Sequence, residues 1–365
     1  MKVKEVIEII NRSIDEKLAA EWDNSGLQVG EPEAKVTGIL LCVDVTEEVV
    51  GEAEEKNCNL IVSHHPFLFS GVKSITGGDT KSRLIKRLIK GDISVYSSHT
   101  CCDVAPGGIN ETLAELLGLK NVRCLDDWAE NFCRVEVYVP EESLDAVRSA
   151  LFAAGVGKLG NYRDCAYQTE GEGMFTPLES ANPAVGGTGV PECTREIRLE
   201  GLCLKKQAQR VVSAILKSHP YECPVYQFTD VLHAGAGVGI GAIGDLTQKF
   251  AAKEFINSVK KIFSCDKIKV SANWRDKKIK TVAVCGGSGA EYVKTARYMG
   301  ADAMITADCK HKDHLWAVEN GLVLICPTHF ASEYCFISIL ENIIRKNSKE
   351  IPVFASESKD IEDIL

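Results

Sequence analysis

No apolar run in the chain approaches the roughly 20 residues that a membrane-spanning helix needs, and no Cys-x-x-Cys pair appears, so thiolate zinc and dithiol redox motifs are not indicated. The N-terminus carries Lys2, Lys4 and Glu5 and lacks the apolar core and small-residue cleavage site of a secretory leader. Positive charge is in deficit: 42 Lys and Arg against 51 Asp and Glu give a formal net charge of -9, which argues against broad attraction to nucleic acid or an anionic membrane. Cysteine, by contrast, is plentiful. The 15 cysteines are odd in number and scattered, unlike the dense frameworks of short secreted domains. Several lie in apolar runs such as Ile39-Leu40-Leu41-Cys42-Val43 and read as small core residues in a reducing cytoplasm. What remains is an ordinary soluble composition, 45% hydrophobic and 25% charged over 365 residues, enough for two or three domains.

Apolar residues at Val3, Val6, Ile7, Ile10 and Ile14 have helical spacing. A buried-strand run from Gly38 to Asp44 follows, then Thr46 as the N-cap of a helix through Lys56. A strand Asn59 to Ser63, a helix near Ser82–Lys90 and a strand Ile93–Ser98 continue the alternation, and Asn110 opens a helix that should stop at Gly118. The last segment repeats this grammar: a helix over about Leu246–Phe263, strands at Thr281–Cys285, Asp302–Thr306 and Leu322–Cys326, a helix near Asp313–Glu319, and a final helix from about Ser332. Such alternation predicts an α/β layer with a mostly parallel sheet. The middle differs. A strand Arg134–Val139, a helix Glu141–Ala154, a hairpin around Tyr162–Phe175, a strand Glu196–Glu200, a helix Lys205–Lys217 and a strand Val225–Thr229 give the ferredoxin-like order β-α-β-β-α-β. The expectation is a discontinuous α/β core, residues 1–130 and 239–365, around an inserted ferredoxin-like α+β domain, 131–238, with the Gly235–Gly244 glycines marking re-entry.

Three strand ends offer imidazole and carboxylate. His64-His65-Pro66 follows one, Ser98-His99-Thr100-Cys101-Cys102-Asp103 another, and Cys326-Pro327-Thr328-His329, with Glu333 four residues on, a third. In α/β sheets ligands gather at the C-terminal ends of strands. A helix that has begun by His329 puts it and Glu333 on one face. Adjacent strand residues point to opposite faces, so His64 and His65 share a site only if the chain turns there, as Pro66 favours. The combined His/Asp/Glu set is the ligand chemistry of Zn, Mn or Fe. Each fragment alone is more often a hydrogen-bonded structural feature; their convergence on one chemistry favours a site. His99 is a candidate auxiliary ligand or orienting partner, and Asp23 and Asp44 are candidate orienting carboxylates or simple turn residues. His311 and His314 lie near a strand end; His219 and His233 lie in or beside the insert and read as surface or packing residues. Gly286-Gly287-Ser288-Gly289 is either an anion cradle or a tight turn, and it is not a P-loop.

Taken in order, these motifs resemble the GTP cyclohydrolase 1 type 2 homolog family, also described as dinuclear metal centre hexameric proteins. The resemblance rests on Glu21-Trp22-Asp23-Asn24-Ser25-Gly26-Leu27-Gln28-Val29-Gly30, Ser63-His64-His65-Pro66, Ser98 to Asp103 with Ala105-Pro106-Gly107-Gly108-Ile109-Asn110, Cys285 to Gly289, and His329-Phe330-Ala331-Ser332-Glu333. It implies two divalent metal cations per subunit on His64, His65, Asp103, His329 and Glu333, and a ring-shaped homohexamer with the sites facing its interior. Leu159-Gly160-Asn161-Tyr162 and His219-Pro220-Tyr221-Glu222 resemble the PII-like domain of the longer members. The chain departs from the family pattern at Ala307, Lys312, Thr328, Cys223 and Ala242, which bears on substrate contacts rather than on the five ligands.

Two divalent cations against two ligand carboxylates would leave the site at about +2, a charge suited to an anionic small-molecule substrate. The expected activity is metal-dependent hydrolysis of a nucleotide or other phosphorylated small molecule; the family resemblance implies opening of the GTP guanine ring as one form of it. The alternative is a non-enzymatic metal-binding or metabolite-sensing assembly.

Overall fold

The computed structural model describes residues 1–127, 132–159, 162–231, 238–348 and 350–362. The chain divides into two compact units, Met1–Asp126 together with Gly239–Leu365, and Asp127–Val238. Both mix helices and strands; the first contains the parallel strand pairs of the α/β class that the alternation predicts, and the second has an antiparallel sheet, as an α+β insert requires. Among the described residues no helix is long and apolar enough to cross a membrane.

The first unit carries two sheets. One runs in the order Gly26–Val29, Ser94–Ser97, Leu60–Ser63, Ile39–Cys42, Val353–Ala355. Its last four strands are parallel and the first is antiparallel to its neighbour. Ile39–Cys42, Leu60–Ser63 and Ser94–Ser97 are buried at every position, because both faces of a parallel sheet are covered. Val49, Val50, Leu84, Ile85 and Leu88 pack on one face. Register sets the functional edge: Cys42 pairs with Ser63, and Ser63 with Ser97, so the residues that follow all three strands leave the sheet along one line. The turn helix Glu47–Glu55 starts where its cap demands, with Thr46 Oγ1 accepting from the Val49 amide at 3.3 Å.

The second sheet runs Lys269–Val270, Val323–Cys326, Ala303–Ile305, Lys278–Val284, Gly239–Ala251, Lys120–Asp127. Its three central parallel strands end in register at Val284, Ile305 and Ile325. The helix Cys335–Asn347 lies against the strand Ile39–Cys42 of the other sheet and against the helices Val3–Ser13 and Ile109–Leu116. Its Phe336, Leu340 and Ile344 are fully buried.

Several local expectations are corrected. Residues 246–251 are not helical: they finish the strand Gly239–Ala251, and the helix is Ala252–Ile262. Leu246 and Phe250 have helical spacing, but pairing with Lys278–Val284 overrides it through an irregularity between Asp245 and Phe250. Asn110 does not cap its helix, which is Ile109–Leu116 with Gly108 at the cap position. The strands Gly26–Val29, Lys120–Asp127 and Val353–Ala355 were not foreseen.

The second unit follows the order β-α-β-β-α-β: Phe132–Pro140, Leu144–Ala153, Tyr167–Phe175, Glu192–Leu204, Ala208–Ser218, Tyr226–Asp230. Its antiparallel sheet is ordered Tyr167–Phe175, Glu192–Leu204, Phe132–Pro140, Tyr226–Asp230. Val135, Val137, Val139 and Leu199 pack against Val147 and Leu151 of one helix and Val211 and Ile215 of the other. The hairpin expected around Tyr162–Phe175 does not form; Tyr167–Phe175 is one strand, paired along its length with Glu192–Leu204. Asn131, Gly160, Asn161, His233 and the first glycines of the Gly235–Gly244 cluster lie outside the described residues.

Candidate metal centre

His64 and His65 stand where the strand Leu60–Ser63 ends. Their amides still donate to Cys42 O and Val43 O, but the chain bends, and both rings turn to the same side with centroids 5.0 Å apart. His99 leaves the end of Ser94–Ser97, and Asp103 sits one helical turn further on in Thr100–Val104. From the second sheet, Thr328 caps a helix that begins at His329, its Oγ1 accepting from the Ala331 amide at 3.3 Å. His329 and Glu333 thereby share one helix face, with Nε2 3.1 Å from Oε1. The structure thus brings all five sequence-derived candidates, His64, His65, Asp103, His329 and Glu333, to one cluster, and adds His99 to it.

The cluster centres on Glu333, whose side chain is almost wholly buried. Its Oε1 lies 3.5 Å from His64 Nε2, and its Oε2 lies 3.0 Å from His65 Nε2 without hydrogen-bond geometry. Asp103 Oδ1 lies 3.8 Å from His64 Nε2. Ligand atoms of His64, His65 and His99 fall within 4.8 Å of one another, and so do those of His65, His329 and Glu333. His65 belongs to both groups.

The imidazoles are aimed by their other nitrogens. His65 Nδ1 meets Asp44 Oδ1 at 2.8 Å, His99 Nδ1 meets Asp23 Oδ1 at 2.8 Å, and His329 Nδ1 meets Asp308 Oδ2 at 2.7 Å. His64 Nδ1 lies 3.1 Å from Ser98 O. A carbonyl or an ionised carboxylate only accepts, so each Nδ1 carries a proton, and a ring in its neutral form offers its Nε2 lone pair. Asp23 is itself braced by Thr100 Oγ1 at 2.6 Å and Ser25 Oγ at 2.8 Å. Asp23 and Asp44 are orienting carboxylates, as the sequence suggested. Asp308 was missed in that role; only its position after a strand end hinted at it.

Electrostatics make this arrangement costly without a cation. Burial opposes charge on Glu333, yet the surrounding imidazoles outweigh it and hold its carboxyl well below the usual range. Burial raises Asp103, and the nearby Glu333 adds to this against the pull of His64. Burial works against protonation of His65 and His329, but Asp44 and Glu333 push the first up to about 10, and Glu333 and Asp308 push the second up to about 9. Even so, His64 Nε2, Asp103 Oδ1 and Glu333 Oε2 are buried with no hydrogen-bond partner. Buried charged or polar atoms without partners are strongly disfavoured, and a cation among them removes the deficit. The donor set, imidazole and carboxylate oxygen, fits Zn, Mn or Fe and does not select among them.

The glycine loop serves this site by its absence of side chains. Gly287 has φ +61, and a Cβ there would fall 2.1 Å from Glu333 Oε1. The amides of Gly286, Gly287 and Gly289 donate to Asn110 Oδ1, Ser332 Oγ and Thr306 Oγ1. They are therefore spent inside the fold, which supports the tight-turn reading over the anion cradle. Asn110 joins the two halves of the unit, since its Nδ2 also donates to Asp103 O at 3.0 Å. His311 is exposed and His314 packs beside Cys326, so neither lines the cavity. In the second unit His219 is a packing residue, its Nε2 donating to Tyr138 O at 2.8 Å. Cys101 and Cys102 are fully buried, and burial pushes the Cys101 thiol up to about 11, which argues against a reactive thiolate. A cavity of about 460 Å³ opens over the cluster, walled by Trp22, Phe69, Ile240 and Tyr292.

The family described as Duf34/NIF3 (NGG1p interacting factor 3) matches residues 1–361. A Staphylococcus epidermidis protein named GTP cyclohydrolase 1 type 2 homolog is 34% identical over 361 residues, covering 98% of each chain. A Bacillus subtilis protein of the same name is 35% identical over 363 residues, covering 97% of this chain and 96% of its own. Among solved structures, a Bacillus cereus protein related to NIF3 superposes with a TM-score of 0.79 at 32% identity, covering 100% of this chain and 99% of its own.

Proposed function

Because the chain belongs to the Duf34/NIF3 family, we propose that it is a dinuclear metal hydrolase acting on a nucleotide or another phosphorylated small molecule. The observation that carries this reading is the set of imidazoles whose Nδ1 atoms are committed to acceptors while buried Nε2 and carboxylate atoms are left without partners. Histidines held in this way by an outer carboxylate or carbonyl are characteristic of metal ligands, because the outer acceptor fixes the tautomer and raises ligand basicity.

His64, His65, His99, Asp103, His329 and Glu333 would hold two cations. Glu333 would contribute to holding both, because its two oxygens face different imidazoles, Oε1 toward His329 and His64, Oε2 toward His65. When bound, the cations supply a water of lowered pKa and positive charge for an anionic substrate. Asp23, Asp44 and Asp308 hold the rings in place, and the buried Asn110 keeps the Asp103 turn fixed against the glycine loop. The cavity mouth admits a small molecule. The proposal includes the ring-shaped homohexamer and the PII-like character of the insert, supported by the sequence resemblance and, for the insert, by its β-α-β-β-α-β order. Free thiols at all 15 cysteines accord with a reducing compartment.

The departures at Lys312 and Thr328 do not favour the non-enzymatic alternative. Lys312 is exposed, and the Thr328 hydroxyl is spent on capping its helix and on Asp360. The test is hydrolysis. Protein loaded in turn with zinc, manganese and iron should turn over nucleotides or simple phosphoesters, and His65→Ala should abolish that turnover. Full metal loading without turnover on any of these substrates would leave the metal-binding assembly in place of the enzyme.

A further inference from the structure

The cavity over the cluster has one wall that burial does not explain. Trp22 is 65% exposed and Phe69 is 56% exposed, although both are large apolar side chains beside a polar site. Single exposed apolar residues are unremarkable, but a contiguous group at the rim of a cavity marks a binding surface. Here the rings form a corner. Trp22 and Phe69 have centroids 6.1 Å apart, and both meet the His99 ring nearly edge-on, at 6.0 and 6.3 Å.

The corner is held in place. Trp22 directly precedes Asp23, whose carboxylate is fixed by His99, Thr100 and Ser25. The turn carrying Phe69 is tied to the same segment twice. Asn24 Nδ2 donates to Leu68 O at 2.5 Å, and the Leu68 amide donates to Gln28 Oε1 at 2.7 Å. Two loops from different strand ends are thus cross-braced so that their aromatic rings stay at the cavity rim. Such pre-ordering lowers the entropic cost of binding a flat partner.

Resting on the metal-site reading above, we propose that Trp22 and Phe69 are specificity-determining residues that stack on a planar aromatic ring of the substrate, the substrate's anionic group lying toward Glu333 and the histidines. The substrate class is then an aromatic heterocycle that carries a phosphate or comparable anion. A bare sugar phosphate would leave the two rings in water and lose their contribution.

The experiment compares adenosine monophosphate with ribose 5-phosphate as calorimetric probes on zinc-loaded protein, with metal content and oligomeric state recorded for every sample. The wild type should bind the nucleotide about 10-fold or more tightly than the sugar phosphate, as stacking on an aromatic side chain allows. Trp22→Ala and Phe69→Ala should each erase most of that preference while leaving metal content and ribose 5-phosphate affinity unchanged. Equal affinity of the wild type for the two probes overturns the proposal, as does a preference untouched by both substitutions. Loss of assembly in the variants also overturns it, by assigning the rings to a subunit contact. Failure of the metal-site reading looks different: it leaves the wild type without stoichiometric metal before any probe is added.

Discussion

At the scale of single residues, the proposed site depends on what stands behind the candidate ligands as much as on those ligands. Asp44 orients His65 through a 2.8 Å contact and, among the described residues, is bonded to no other imidazole of the cluster. Asp44→Asn should weaken metal binding by roughly 10- to 100-fold, the usual cost of losing an outer partner, without unfolding the protein. Competition with a chromogenic chelator measures this. Gly287 is more demanding. Its φ of +61 disfavours any side chain, and an added Cβ would strike the Glu333 carboxylate. Gly287→Ala should lower both thermal stability and metal content; retention of full metal content would contradict the geometry. Among the clustered residues, His64 and His65 were legible in the sequence because they follow a run of apolar strand residues, and His329 and Glu333 because of their spacing. Asp308 was not, because its partner lies 21 residues away and is reached only through the register of two parallel strands.

Protonation belongs to the same scale. In metal-free protein His65 and His329 are raised to about 10 and about 9 from an ordinary value of 6.5. A raised imidazole stabilises the fold fully below its unfolded value and ceases to do so as pH climbs through the folded one. Metal-free protein should therefore lose stability between about pH 6.5 and 10. Cations compete for the same nitrogens, so loading at about pH 7.5 should release protons and tighten as pH rises. Calorimetry in buffers of different ionisation enthalpy reads the protons directly, and loading without proton release would contradict the assignment of these two rings.

At the scale of elements, the short helix His329–Glu333 is the component that delivers candidate ligands from the second sheet. It exists because Thr328 follows Pro327 and caps it, its hydroxyl also bonding Asp360. Thr328→Ala should cost about 1 kcal/mol of stability, and should loosen metal binding more than an equally destabilising change such as Thr46→Ala, whose helix carries no ligand. Denaturant unfolding of both variants, paired with metal titration, makes the comparison. Elements with strong local signals were legible here, including the Thr46 cap and the fully apolar strands. Residues 246–251 were not: their local spacing is helical, and pairing with Lys278–Val284 decides otherwise. The short strands Gly26–Val29 and Val353–Ala355 carry too few residues for periodicity to register; the sheet they join forms them.

At the scale of the molecule, every residue of the cluster comes from Met1–Asp126 or Gly239–Leu365, and none from the intervening unit. The strands that flank the insert, Lys120–Asp127 and Gly239–Ala251, are neighbours in one sheet, so a short linker can join them. A chain with that replacement should fold and keep its metals; loss of metal would mean that the insert supports the site. The discontinuity itself was readable, because the strand–helix grammar stops and resumes on either side of a glycine-rich middle. The division of that unit into two sheets was not, since it depends on strand pairings that no local pattern records.

The central claim is that these residues hold two cations. The most direct measurement is metal content per chain, on protein purified without chelator and again after reconstitution with zinc, manganese and iron, for the wild type and for Glu333→Ala. The account predicts two metals per chain in the wild type and a sharp fall in the variant, because Glu333 faces imidazoles of both ligand groups. A wild type that takes up no stoichiometric metal under any of these conditions would contradict it.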